Sequence, residues 1–231
     1  MTFVQVIDCK TDRVDELNRL MDSWIEQTKG RRTATHSMVG TDRSDSTHVI
    51  EIVEFPSYEE AMKNANLPET DRIFQEMVAL CDTMPTFTDL EVLRDEQLNE
   101  AACRRFFTEA LPGGDAGVFG ELLTADYRDH DPANPRDVVG VEAFLREVAA
   151  WRAGFDFTFT VEDQIADGER VCTRWTWNGL HKGEFLGVTP TGRRMAMTGT
   201  TVHRCREGLI CESWWQYDRL GLMGRLGVLE M

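Results

Sequence analysis

From Phe155 onward the apolar residues of this chain recur at every second position. Phe155, Phe157, Phe159 and Val161 alternate with polar neighbours, the period of a strand with one face buried. Turn signals at Asp167–Gly168 and Glu207–Gly208 divide the rest of the chain into strands at Arg170–Trp177, Arg194–Cys205 and Leu209–Tyr217. Ahead of Phe155 the period is helical. Leu98–Ala110 sets Ala102, Phe106 and Ala110 on one face, and a second short helix runs to Leu123 after the break at Pro112–Asp115. A third, Gly140–Ala153, gathers Val141, Phe144, Leu145, Val148 and Trp151 on one side. Three helices and then a long antiparallel sheet form an α+β layout. A strongly bent sheet can wrap such helices and leave an apolar pocket at its open end.

The first 96 residues have a different order. Phe3–Cys9 is strand-like; Asp12 caps a helix with Val14, Leu17, Leu20, Met21, Trp24 and Ile25 on one stripe, closed by Gly30. Strands at Thr35–Gly40 and His48–Phe55 flank the polar turn Asp42–Asp45. Pro56 and Ser57 introduce a helical region from Tyr58 to Leu80, broken near Pro68, and Thr86–Leu93 supplies a fourth strand. The order β-α-β-β-α-β is the ferredoxin-like split unit. Its sheet keeps one face bare, and a bare apolar face is expected to pair with a second copy of the chain. We therefore read two domains, 1–96 and 97–231, with a charged junction at Arg94–Asn99, and expect a homodimer.

The 231 residues carry a formal net charge of −15. Acidic residues outnumber basic ones 20 to 10 up to Glu96 and 20 to 15 beyond it. Such a surface repels phosphate backbones and anionic headgroups, which argues against nucleic-acid and membrane-surface partners. The six cysteines form no C-x-x-C pair, so neither a zinc site nor a disulfide framework is expected. No apolar run is long enough to span a bilayer. The start of the chain reads as a strand rather than a signal peptide, and a cytoplasmic protein is expected.

Alternation along the last strand puts Glu212, Trp214, Gln216 and Asp218 on one face and Ser213, Trp215 and Tyr217 on the other. On the neighbouring strand Thr201, His203 and Cys205 share a face. Pairing across Glu207–Gly208 is expected to bring His203 and Asp218 into one cavity walled by Trp214, Trp175 and Trp177, roomy enough for fused rings. A carboxylate desolvated there becomes a stronger base. His130, between Asp129 and Asp131, suggests a metal ligand, but neighbours on a strand face opposite ways. It reads better as a pocket-mouth or hydrogen-bonding residue, and no metal is expected.

Three segments carry a family likeness: Y-R-D-H-D-P at 127–132, W-N-G-L-H-K-G-E-F-L-G-V-T-P-T-G-R-R at 177–194, and G-L-I-C-E-S-W-W-Q-Y-D-R-L-G-L at 208–222, closed by R-L-G at 225–227. In this order they resemble the SnoaL-like polyketide cyclases of the nuclear-transport-factor-2-like superfamily over 98–231. The resemblance implies a cone-shaped α+β barrel. It also implies a cofactor-independent enzyme that closes a ring of an aromatic polyketide by intramolecular aldol-type addition. Asp218 then matches the family's catalytic acid/base and His203 a pocket histidine, while Gln216, Trp214, Trp175, Trp177, His130 and Thr201 would meet substrate. Gln216 stands where family cyclases commonly have histidine, and glutamine transfers no proton at neutral pH.

The first half, through its element order and E-F-P-S-Y-E-E-A at Glu54–Ala61, resembles the dimeric α/β-barrel family that includes antibiotic-biosynthesis monooxygenases. Trp24, His36 and His48 would be its site residues. Two alternatives to the cyclase arise: an oxygenase or hydroxylase of polyketide tailoring that uses the first domain, and a non-catalytic ligand-binding or dimerisation module.

Overall fold

The structure is a computed structural model that describes residues 2–95 and 97–228. The chain forms two compact units, Met1–Asp95 and Glu96–Met231. Glu96, on which the sequence places the domain boundary, lies outside the described residues.

The first unit runs β1 (Phe3–Lys10), α1 (Val14–Gln27), β2 (His36–Thr41), β3 (His48–Phe55), α2 (Tyr58–Ala65), α3 (Pro68–Leu80) and β4 (Thr86–Glu91). Its antiparallel sheet has the order β2-β3-β1-β4. Ser57 caps α2 by accepting the Glu60 amide at 3.3 Å, and Pro68 opens α3 at its first turn, where a missing N–H costs nothing. Asp12 makes no cap. The residue before α1 is Arg13, whose amide is held by Thr11 Oγ1 at 3.0 Å. Val49, Val53 and Phe55 of β3 pack against Leu17, Leu20, Ile73 and Met77 of the helices.

The second unit begins with α4 (Leu98–Arg105), which runs through a π-helical turn (Phe106–Ala110) into the short α5 (Leu111–Gly113). Neighbouring residues of an α-helix point about 100° apart. The wider turn lets the adjacent Phe106 and Phe107 both bury completely. Next come α6 (Ala116–Leu122), β5 (Leu123–His130), β6 (Val138–Val139), α7 (Val141–Gly154), β7 (Phe155–Asp167), β8 (Arg170–His181), β9 (Arg194–Arg206), β10 (Leu209–Tyr217) and α8 (Arg219–Leu226). The six-stranded sheet has the order β6-β5-β10-β9-β8-β7. It is not wholly antiparallel, because β5 runs parallel to β10.

Two glycines let the sheet carry large side chains on its concave face. A Cβ on Gly179 would run into the Trp177 ring, and one on Gly199 into the Trp175 ring. Each indole covers bare backbone and is almost wholly buried. Among the described residues no helix is long and apolar enough to cross a membrane. All six cysteines are free thiols; Cys103 and Cys205 lie 3.9 Å apart in the core.

Candidate functional site

The hairpin β9–β10 decides which side chains the concave face presents. Near its turn Arg206 pairs with Leu209 and Cys205 with Ile210. Beyond that the register shifts by one, and Arg204 pairs with Glu212, His203 with Ser213 and Thr201 with Trp215. Cys211 is the extra residue of this bulge. A one-residue shift exchanges the two faces of the remainder of the strand. Ser213, Trp215 and Tyr217 therefore join His203 and Thr201 inside, while Glu212, Trp214 and Gln216 point outward.

The expected catalytic carboxylate accordingly lies elsewhere. Asp218 is exposed at the start of α8, where its side chain accepts the Gly221 amide at 2.8 Å and caps the helix. Gln216 is exposed on the outer face. Trp214, 37% exposed, stacks on His130 at a ring distance of 5.1 Å. The His130 ring is itself bracketed on that outer face by Glu212 at 3.2 Å and Asp137 at 3.0 Å. Trp175 and Trp177 do wall a cavity. Thr201 is wholly buried behind it, accepting the Trp175 indole N–H at 2.8 Å.

Among the carboxylates that line the cavity, the buried one is Asp129, on β5, only 3% exposed. Ser213 is its partner on β10. Asp129 Oδ1 accepts the Trp215 indole N–H at 2.7 Å and lies 3.0 Å from the Tyr127 hydroxyl. Tyr127 also lies 2.8 Å from Ser213 Oγ, which is 2.7 Å from His203 Nδ1. Burial holds His203 neutral by lowering its pKa to about 3, and among the described residues its Nε2 has no partner. One assignment gives every proton of this chain of groups an acceptor: His203 Nδ1–H donates to Ser213, Ser213 to Tyr127, and Tyr127 to Asp129. The opposite tautomer would bury an unpaired N–H, the costlier defect. His203 thus stands at the far end of a relay, caged by Phe106 and Phe107, and does not itself reach the cavity.

Desolvation raises the Asp129 pKa from 3.8 to about 6, against the pull of Trp215 and Tyr127 and with some help from Asp131. At neutral pH the group is therefore ionised but basic. The cavity floor is apolar, with Phe157, Phe159, Trp175 and Met197 among its walls, while Asp131, Asn134, Glu147 and Tyr217 add polar groups. Tyr217 donates to Asp131, 2.9 and 3.0 Å from its two oxygens. The hollow measures about 80 Å³, less than fused rings require and well under the ~300 Å³ at the lower end of ligand sites.

Sequence reasoning reaches Asp129 only as a neighbour of His130. The signal that could have found it is parity within β5, since Tyr127 and Asp129 share a face and a buried tyrosine places that face inward.

Helices packed on a six-stranded sheet form this unit, and the SnoaL-like polyketide cyclase family matches residues 101–226. The chain belongs to it. Among solved structures, IdmH of Streptomyces antibioticus, a "putative polyketide cyclase", is 32% identical with a TM-score of 0.50, covering 57% of this chain and 99% of its own. TsrD of Streptomyces laurentii is 27% identical (TM-score 0.51, 59% and 99%), and AclR of Streptomyces galilaeus, a "putative hydroxylase", 25% (TM-score 0.51, 58% and 83%). No curated protein matches at a significant level.

Proposed function

We propose that the chain is a polyketide cyclase-type enzyme, that its reaction takes place in the cavity of the second unit, and that Asp129 is the acid/base. The observation that carries this reading is the burial of Asp129 at the cavity, with one oxygen held by Trp215 and Tyr127 and the other without a partner among the described residues. The unpartnered oxygen removes a proton from a methylene activated by flanking carbonyls. The resulting enolate carbon bonds to a carbonyl carbon of the same molecule, and that oxygen takes the proton back from Asp129. Product and substrate are isomers, so nothing is consumed and no cofactor is required. Trp175, Trp177 and Trp151 hold the rings by stacking, and Asn134 offers an amide donor to the substrate's carbonyl oxygens. Trp151 and Phe159, both half-buried, are walls that can shift to widen the cavity for a multi-ring substrate.

The test is turnover of an unclosed aromatic polyketide by the full chain without oxygen. Wild type should give a product of unchanged mass, and Asp129→Asn should lose at least about a hundredfold in kcat. Equal turnover by the variant would refute the assignment. The likeness to AclR favours a hydroxylase as the second reading, which oxygen uptake during turnover would establish.

For the first unit we infer a ferredoxin-like half-barrel that pairs with a second copy. The sheet face away from its helices supports this: Val4, Val6, Ile50 and Ile52 lie half-exposed there, with Leu90 43% and Met38 54% exposed. Light scattering that gives the mass of one chain would dismiss the dimer.

A further inference from the structure

Three carboxylates line the cavity of the second unit, those of Asp129, Asp131 and Glu147, and no lysine or arginine does. Asp129 is 3% exposed and keeps one oxygen without a partner among the described residues. Asp131 is half-buried and fixed in place, its oxygens accepting the Tyr217 hydroxyl at 2.9 and 3.0 Å and the Ala133 amide at 2.8 Å. Glu147, half-buried on α7, has no hydrogen-bonding or ionic partner among the described residues. Its own helix supplies none. Side chains on a helix meet at three and four positions, and those neighbours of Glu147 are Ala143, Phe144, Ala150 and Trp151. Arg152, five positions on, lies against Gly114, and Arg219 is near Tyr217 but outside the lining. Like charges around one apolar hollow raise each other's cost, and Asp131 is among the groups that push the Asp129 carboxyl upward. The remaining walls include Trp151, Trp175, Trp177 and Tyr217, whose ring faces attract cations.

We infer that the substrate of this cavity carries a protonated amine, held between Glu147 and Asp131 beside the Trp151 ring. The inference rests on the reading of this cavity as the reaction site and names the class of substrate it takes. The ammonium donates its N–H groups to the unpartnered oxygens of Glu147 and to Asp131, and the Trp151 ring, one turn along α7 from Glu147, covers its alkyl side. The enolisable carbon then sits deeper, at the buried Asp129. Free carboxylic acids are rejected, because three negative charges of the lining face them and no cation of the lining does.

The full chain, labelled with ¹⁵N, is titrated with benzylammonium, benzyl alcohol and benzoate, probes of nearly one size that differ in charge. The indole N–H signal of Trp151 is followed, identified by its loss in Trp151→Phe. Benzylammonium should move it saturably, with an affinity at least about tenfold above that of benzyl alcohol, and benzoate should leave it in place. Glu147→Gln and Asp131→Asn, which keep side-chain size, should each weaken benzylammonium about fivefold and leave benzyl alcohol unchanged. A signal unmoved by benzylammonium, equal affinity for amine and alcohol, saturable binding of benzoate, or benzylammonium binding unchanged in both variants would overturn the inference. Failure of the acid/base reading looks different: Asp129→Asn then turns over like wild type while the preference for the ammonium persists.

Discussion

Trp215 fixes Asp129: its indole N–H meets Oδ1 at 2.7 Å from the neighbouring strand, and among the described residues the second oxygen has no partner. Removing that donor with Trp215→Phe withdraws support from the ionised carboxylate. The midpoint of the acid limb of the pH–rate profile should move upward by about one pH unit. Profiles of the two proteins on one substrate check this, and coincident limbs would mean Asp129 is not the titrating group.

The same burial makes Asp129 a pH-dependent liability. Its pKa is about 6 in the folded chain and 3.8 ordinarily, so between those values the folded state binds more protons than the unfolded one. Stability from this group is thus greatest below about pH 4 and falls as pH rises to about 6, by roughly 2–3 kcal/mol. Denaturant midpoints at pH 4, 5, 6 and 7 should show a wild-type decline, relative to Asp129→Asn, confined to that window.

Gly199 leaves room for the Trp175 ring and for the Gln216 carbonyl, which a Cβ would crowd at 2.8 Å. Gly199→Ala should push the indole into the cavity, costing about 1–3 kcal/mol. Ligand affinity should fall more steeply than thermal stability, which calorimetry and a binding titration together resolve.

Asp218→Ala removes a helix cap and should cost about 1 kcal/mol. With Asp129 as the acid/base, kcat survives, as it does in Gln216→Ala and His130→Ala. A collapse of kcat in folded Asp218→Ala would restore the acid to the reaction.

These contrasts mark how far the sequence could be read. Period alone located most elements, down to His48–Phe55 and Leu209–Tyr217, and the alternation within β10 sorted its side chains correctly into two sets. Which set faces inward was not legible. That depends on Cys211 being unpaired, and nothing in L-I-C-E-S distinguishes a bulge from a regular strand. A regular hairpin would have opposed His203 to Glu212 and put Asp218 on the inner side. Asp129 was hidden for a related reason: its inward aim comes from the parallel pairing of β5 with β10, a contact between distant parts of the chain. The π-helical turn at Phe106–Ala110 likewise left no mark in a pattern that reads as ordinary helix.

Asp129 and the indole that grips it are 86 positions apart, with four strands and a helix emerging between them during synthesis. Pairings of such long range are slow to form. The carboxylate therefore stays ungripped until the final strand docks, and a nascent chain stopped before β10 should have a largely built helical layer yet no working centre. Closing the sheet and gripping the buried carboxylate are one event.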